Sequence, residues 1–260
     1  MSSEATRVAP VANRAVPGAV PETPMWVEVN GNRIAVWSCS PEHILALVLG
    51  WLVAEGALAP GEDLPGIELV DDAGIRGARI RIAPDIAARM LAERDHRREH
   101  GCGLAYFVRC APETIARDPV AGAPPQDADF PALFRELYAS GEQYRETGGV
   151  HAAALSDGRS LLHRVEEVGR HNAVDKVIGL SLLEGRDPTG LGLVTTARIS
   201  GDIALKAARA RLGWIASRSV PTTLALEIAN VAGITIVGRA AGREPHIHRP
   251  EGSVHGGSAS

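Results

Sequence analysis

Apolar and polar positions alternate from Met25 to Trp37, where WVEVN and RIAVW are separated by Asn30 and Gly31. This predicts a β-hairpin closed by an Asn-Gly turn. Ser40 is then placed to cap a helix with Pro41 at its first position, and an apolar run from Ile44 to Val53 fills that helix until Gly56. Residues 67–83 read as two short strands around Asp72 and Gly74. Ala83 to Glu99 reads as a helix or extended arm with a basic end, and Leu104 to Arg109 as a strand. Residues 118–129 are mostly Pro, Gly, Ala and Asp and predict a linker.

After a connecting helix over Phe130 to Gly141, the pattern changes to a βα rhythm. Strands are expected at Val150–Leu155, Ser160–Val165, Gly192–Thr196, Trp214–Ser217 and Ile234–Val237. Helices are expected at Asn172–Leu183, Gly201–Arg211 and Pro221–Val231, the first with Val174, Val177, Ile178 and Ser181 on one face. Strands alternating with helices imply right-handed crossovers and a parallel or mixed sheet. The fold class is therefore α/β: a small N-terminal α+β domain over 24–117 and a linker with connecting helix over 118–145, then a larger α/β domain over 146–245. Residues 1–23 and 246–260 read as tails.

Composition narrows the function classes. A chain of 260 residues buries roughly 70 to 75% of its unfolded surface, so a core is assured. A net charge of −4 gives no global attraction to nucleic acid or anionic lipid, and anion binding must come from local arginines. Pro10, Asn13 and Pro17 interrupt the early apolar stretches, so no signal-peptide h-region is expected, and no apolar run reaches the length of a membrane span. Three irregularly spaced cysteines do not make a secreted disulfide framework. These features predict a cytoplasmic protein with reduced thiols.

Three expected loops leave successive strands at one sheet edge, where open α/β sheets bind ligands. They carry Arg198 and Ser200; Arg218, Ser219, Thr222 and Thr223; and Arg239, Ala240, Ala241, Gly242 and Arg243. Arginine forks, helix N-termini and glycines together suit a diphosphate-bearing nucleotide, although such arginines also occur as solvated residues of ordinary βα loops. Arg170 and His171 precede a helix that Asn172 could cap, with Asp175 three residues on. His151 could be a satisfied core histidine. Cys102 lies between Gly101 and Gly103, after a basic stretch holding Arg94, His96, Arg97, Arg98 and His100. Positive charge raises a thiol's thiolate fraction, and glycine flanks admit another protein's sulfur, as sulfur relay requires. Cys39 and Cys110 better suit the small buried hydrophobe that free cysteine usually is.

The blocks TGGVHAAAL at 147–155 and EEVGRHNAVDKVIG at 166–179 resemble the hallmark of the FdhD family, sulfur carriers that mature molybdenum- or tungsten-dependent formate dehydrogenases. Other segments agree in order, among them GCG at 101–103, TTARISGDIALKAA and SRSVPTTLALEIA, and the likeness runs from Pro24 to Arg243. The resemblance implies a C-terminal domain of cytidine-deaminase-like fold and a homodimer. It implies a persulfide on Cys102, a cysteine desulfurase as donor and a formate dehydrogenase as recipient. It also implies that the Arg239–Arg243 segment contacts the guanine dinucleotide of the bis(molybdopterin guanine dinucleotide) molybdenum cofactor, while Arg170 and His171 face its pterin end or support the sulfur-bearing loop. This chain departs from the family's CGxCG pattern, with Ala105 where a second cysteine stands, and is one residue shorter near Arg239.

Two other classes compete. A cofactor-binding insertion chaperone would need the arginine loops but not Cys102. A zinc enzyme is suggested by His96, His100 and Cys102, but three ligands of this spacing are an incomplete set, so no metal site is expected. A His-x-Glu with Pro-Cys-x-x-Cys and a Gly-x-Gly-x-x-Gly are both missing, which argues against a zinc deaminase and a nicotinamide dehydrogenase.

Overall fold

A computed structural model describes residues 18–72, 75–100, 122–139 and 141–251. The first sheet begins with the expected hairpin, β1 (Thr23–Val29) and β2 (Asn32–Cys39). Asn30 at φ 46° and Gly31 at φ 83° both take the left-handed conformation that a two-residue type I′ turn demands. β3 (Gly66–Asp72) pairs antiparallel with β4 (Ile75–Arg81), and β4 pairs parallel with β1, giving the order β2-β1-β4-β3.

Helix α1 (Ile44–Ala54) follows, buried at ten of its eleven positions. A helix apolar on all sides must be covered on all sides. It starts later than Ser40 and Pro41 suggested, with His43 as N-cap at φ 56°. Ser40 is instead buried and committed to long-range partners: its N–H donates to Glu167 Oε1 at 2.9 Å, its Oγ accepts from Val168 N at 3.2 Å, and its carbonyl accepts from Lys176 Nζ at 2.9 Å. Satisfying a buried carboxylate and ammonium outweighs a local cap. Helix α2 (Pro84–His100) extends from β4 as expected.

The second half contains α3 (Phe130–Ala139), α4 (Glu142–Thr147), β5 (His151–Ser156), β6 (Leu161–Glu167), α5 (Arg170–Leu183), β7 (Gly192–Thr195), α6 (Gly201–Arg209), β8 (Trp214–Ser217), α7 (Thr223–Ala232), β9 (Thr235–Gly238) and β10 (His246–His248). The sheet order is β10-β9-β8-β7-β5-β6, with β7, β8 and β9 parallel and the flanking pairs antiparallel. The mixed α/β class is as expected. β10, inside the segment expected to be a tail, adds an edge strand opposite β9.

Helices α1 and α5 lie back to back between the sheets. A Cβ on Gly50 would fall 1.8 Å from the Asp175 carbonyl oxygen, and one on Gly179 would fall 1.9 Å from that of Ala46. Glycine at both positions is what lets the backbones touch. One core fills the space from the first sheet through α1 and α5–α7 to the inner face of the second; a smaller one, built on Phe130, Phe134 and Trp214, lies under α3 on the outer face. No described helix is long and apolar enough to cross a membrane.

Candidate functional site

Strand direction assembles the site. β7, β8 and β9 are parallel, so the loops that follow them emerge at one edge. β5 runs the other way, and its pairing of Ala153 with Thr195 brings its start, His151, to that same edge. His151 in turn pairs with Glu167, so β6 ends there and α5 starts there with Arg170 and His171.

Backbone hydrogen bonds join the loops to one another. Ile199 N–H donates to Val220 O at 3.2 Å and Thr222 N–H to Ile199 O at 2.9 Å. Arg239 N–H donates to Ser219 O and Ala240 N–H to Ser217 O, both at 2.8 Å. Gly242 N–H closes a turn onto Arg239 O at 2.9 Å, with Arg239 at φ 51°. A left-handed arginine is disfavoured by roughly 1–2 kcal/mol, and here the turn holds it.

The expected ligand residues take different places on this rim. Arg170, Arg198, Arg218, Arg239, Gly242 and Arg243 are exposed, and Ser200, Ser219, Thr222 and Ala241 are half-buried. Ala240 is fully buried in the outer core, and its N–H is used within the loop. Thr222 caps α7, its side chain accepting from Ala225 N at 3.2 Å. Ser200 occupies the equivalent position on α6 but caps nothing, and its Oγ is buried without a partner. Helix α5 has Gly169 as N-cap, so Arg170 and His171 lie in its first turn rather than before it. Asn172, expected as the cap, donates Nδ2 to Ser38 O at 2.9 Å, and Asp175 is buried against Lys206 Nζ at 2.6 and 2.7 Å. Two helix starts therefore open onto the rim without a cap from the N-cap side chain, although Glu167 Oε1 accepts from Gly169 N at 3.2 Å and Asp202 lies in the first turn of α6; their remaining N–H groups can still attract an anion.

Both rim histidines are shifted toward the neutral form. Burial, then Lys206 and Arg170, push the His171 imidazole down to about 4, with Asp202 opposing. Burial and the charges of Arg170 and Arg218 lower His151. His171 Nε2 is buried without a hydrogen-bond partner, whereas the hydroxyl of Tyr138 on α3 lies beside the Arg218 guanidinium and interacts with it. Buried polar atoms are nearly always paired in native proteins, and an orphan costs about 1–3 kcal/mol. Two such atoms, His171 Nε2 and Ser200 Oγ, beside these helix starts and exposed arginines describe a place for a polar, anionic ligand.

Sequence reasoning missed Tyr138, Tyr144 and Glu166. Arg218 Nη1 donates to Tyr144 Oη at 3.3 Å, and Glu166 accepts from the N–H groups of Gln143 and Tyr144, each at 3.0 Å. No local pattern announces these contacts; the position of Glu166 one residue before Glu167 on an edge strand was the available hint. Cys102 and Cys110 lie outside the described residues. Cys39 is buried, its thiol pushed up to about 11 by burial, and it suits a core position rather than a nucleophile.

The sequence profile of the FdhD/NarQ family matches residues 20–254. The chain is 34% identical to the sulfur carrier protein FdhD of Staphylococcus haemolyticus, over 84% of this chain and 83% of that protein. It is 33% identical to the Staphylococcus aureus sulfur carrier protein FdhD, over 84% and 82%. A crystal structure of a Desulfotalea psychrophila protein assigned as a formate dehydrogenase accessory protein superposes with a TM-score of 0.67 at 26% identity, covering 89% of each chain.

Proposed function

The chain belongs to the FdhD/NarQ family, and on that footing we propose that it is a sulfur carrier needed for formate dehydrogenase activity. It takes sulfur from a cysteine desulfurase on Cys102 and passes it to the bis(molybdopterin guanine dinucleotide) molybdenum cofactor, held as cargo at the sheet edge. The formate dehydrogenase is the recipient. The observation that carries the binding half is the pair of buried, unpartnered polar atoms, His171 Nε2 and Ser200 Oγ, beside two helix starts whose N-cap residues make no side-chain cap and five exposed arginines.

Arginine forks would take the diphosphates of a guanine dinucleotide, with Arg239 and Arg243 on a turn that brings backbone close to the ligand. The helix starts of α5 and α6 would add N–H donors, and neutral His171 and Ser200 would accept or donate hydrogen bonds to uncharged parts of the cargo. In the transfer half, the Cys102 thiolate attacks the outer sulfur of the donor's persulfide. The sulfur–sulfur bond breaks, the donor leaves as a thiolate and Cys102 keeps the persulfide. Releasing that sulfur as sulfide takes two electrons, so the second step calls on a thiol or a reduced metal centre.

Mass spectrometry after incubation with a desulfurase and cysteine tests the transfer half. One added sulfur is expected on the wild-type chain and on Cys39→Ser and Cys110→Ser, and none on Cys102→Ser, which also fails to restore formate dehydrogenase in a strain lacking its own carrier. Ala105, standing where a second cysteine is usual, favours one alternative, a cofactor chaperone without sulfur transfer. Full maturation by Cys102→Ser would establish that alternative.

A further inference from the structure

We propose that Tyr144 is a positioning residue for Arg218, aiming its guanidinium at the phosphates of the bound nucleotide, and that Glu166 holds Tyr144 in place. The inference rests on the nucleotide-holding role proposed above. Helix α4 carries it: the helix has only six residues, and none of them is buried. A helix this short is unstable alone, and one with no fully buried residue gains little from core packing. It is instead held from outside. Its N-cap, Gly141, offers no side chain, and the Glu166 carboxylate on β6 accepts from Gln143 N and Tyr144 N, each at 3.0 Å. Arg164 Nη2 lies 3.2 Å from Glu166 Oε1, while Arg164 Nε donates to Leu137 O at 3.0 Å, joining the carboxylate to α3. A Cβ on Gly141 would fall 2.5 Å from Arg164 Nη2 and 2.6 Å from Glu166 Oε1, so the passage admits only glycine without rearrangement.

What α4 presents to the rim is the Tyr144 hydroxyl. The ring is backed by Tyr138 at 5.6 Å between centroids, and Tyr138 is backed by Phe134 at 6.3 Å, so the phenol is supported from behind. Its oxygen accepts from Arg218 Nη1 at 3.3 Å. Arg218 is exposed at the end of β8, and a long side chain there otherwise samples many rotamers. The Tyr138 hydroxyl also interacts with this guanidinium, so Tyr144 acts within a pair of stacked phenols. Restricting Arg218 before the ligand arrives removes part of the ordering that binding would require, and the guanidinium donors that the phenols do not use stay available.

Calorimetric titration of the full-length chain with GDP, and with guanosine as a probe lacking phosphate, tests this. Tyr144→Phe keeps the ring and loses only the hydroxyl. It is expected to weaken GDP binding by about 3- to 10-fold, to leave guanosine binding and the unfolding temperature unchanged, and to have no effect in an Arg218→Ala background. Glu166→Gln is expected to weaken GDP binding in the same Arg218-dependent way. An equal loss with and without Arg218 would overturn the proposal, as would wild-type affinity in Tyr144→Phe. Tighter GDP binding in Tyr144→Phe would also overturn it, because the tyrosine would then be holding Arg218 away from the ligand. If GDP fails to bind the wild-type chain, the nucleotide reading falls and this inference with it. If GDP binds, and depends on Arg239 and Arg243 but not on Tyr144, the positioning role alone is wrong.

Discussion

Two regions of this molecule concentrate charge and treat it in opposite ways. Between α1, α5 and α6, every charge named has a partner inside the protein. Lys176 pairs with Glu167, Lys206 with both oxygens of Asp175, and Ser40 bonds to Glu167 and Lys176. At the rim, the loops and helix starts carry five exposed arginines, while the buried His171 Nε2 and Ser200 Oγ have no partner. Buried charge that is fully paired specifies how elements dock; surplus charge beside orphaned polar atoms specifies that something else docks. The same segment, 166–176, feeds both regions, and a one-residue step along it separates the roles: Glu166 faces α4 and the rim, and Glu167 faces the core.

The comparison predicts effects of graded size and different kind. Lys176→Met leaves the Glu167 carboxylate buried without its cation and is expected to destabilise the fold by about 3 to 5 kcal/mol. Urea unfolding measures this, and Lys176→Met with Glu167→Gln should recover part of the loss. Gly50→Ala places a methyl where the Asp175 carbonyl now sits and forces the helices apart, for about 2 to 3 kcal/mol. Thermal unfolding checks it, and an unchanged melting temperature would mean that the α1–α5 contact is looser than its geometry.

Rim substitutions should separate the two regions. Arg239→Ala with Arg243→Ala is expected to keep the unfolding midpoint and to weaken GDP binding roughly tenfold or more per arginine. Unchanged affinity by calorimetry would remove this turn from the site. The smallest effect concerns His171. Its folded value of about 4 lies below the ordinary 6.5, so between the two the unfolded chain binds more protons. Stability from this group is therefore present above about 6.5 and is lost as pH falls toward 4. His171→Gln should have a shallower decline than the wild type over that window in urea midpoints; parallel curves would show that the imidazole is protonated freely in the folded state.

Much of the architecture was legible along the chain because it follows from local rules. The Asn30–Gly31 turn, the α1 apolar run and the βα rhythm from Leu191 to Gly238 each need only neighbouring residues to be read. The three arginine loops were legible for the same reason, since parallel strands connected by helices put their exits on one edge. The motif blocks at 147–155 and 166–179 pointed to the family, and the profile match over 20–254 agrees.

What only the tertiary structure decided depends on partners far apart in sequence. Ser40 and Asn172 both look like helix caps, yet each is claimed by a residue more than a hundred positions away, because buried charge and open carbonyls outbid a local cap. Asp175 reads as part of a helix start and is in fact the buried partner of Lys206. The glycines at 50 and 179 give no sign in sequence that they face one another. The antiparallel register of β5 and β6 brought His151, His171 and Arg170 to the arginine edge, and the fold of α4 against Glu166 brought Tyr144 to Arg218. Residue type and local period determine which elements form and where charge is available; which charges are spent in the interior and which are left for a ligand is set by three-dimensional pairing, since only there does each group meet, or fail to meet, its partner.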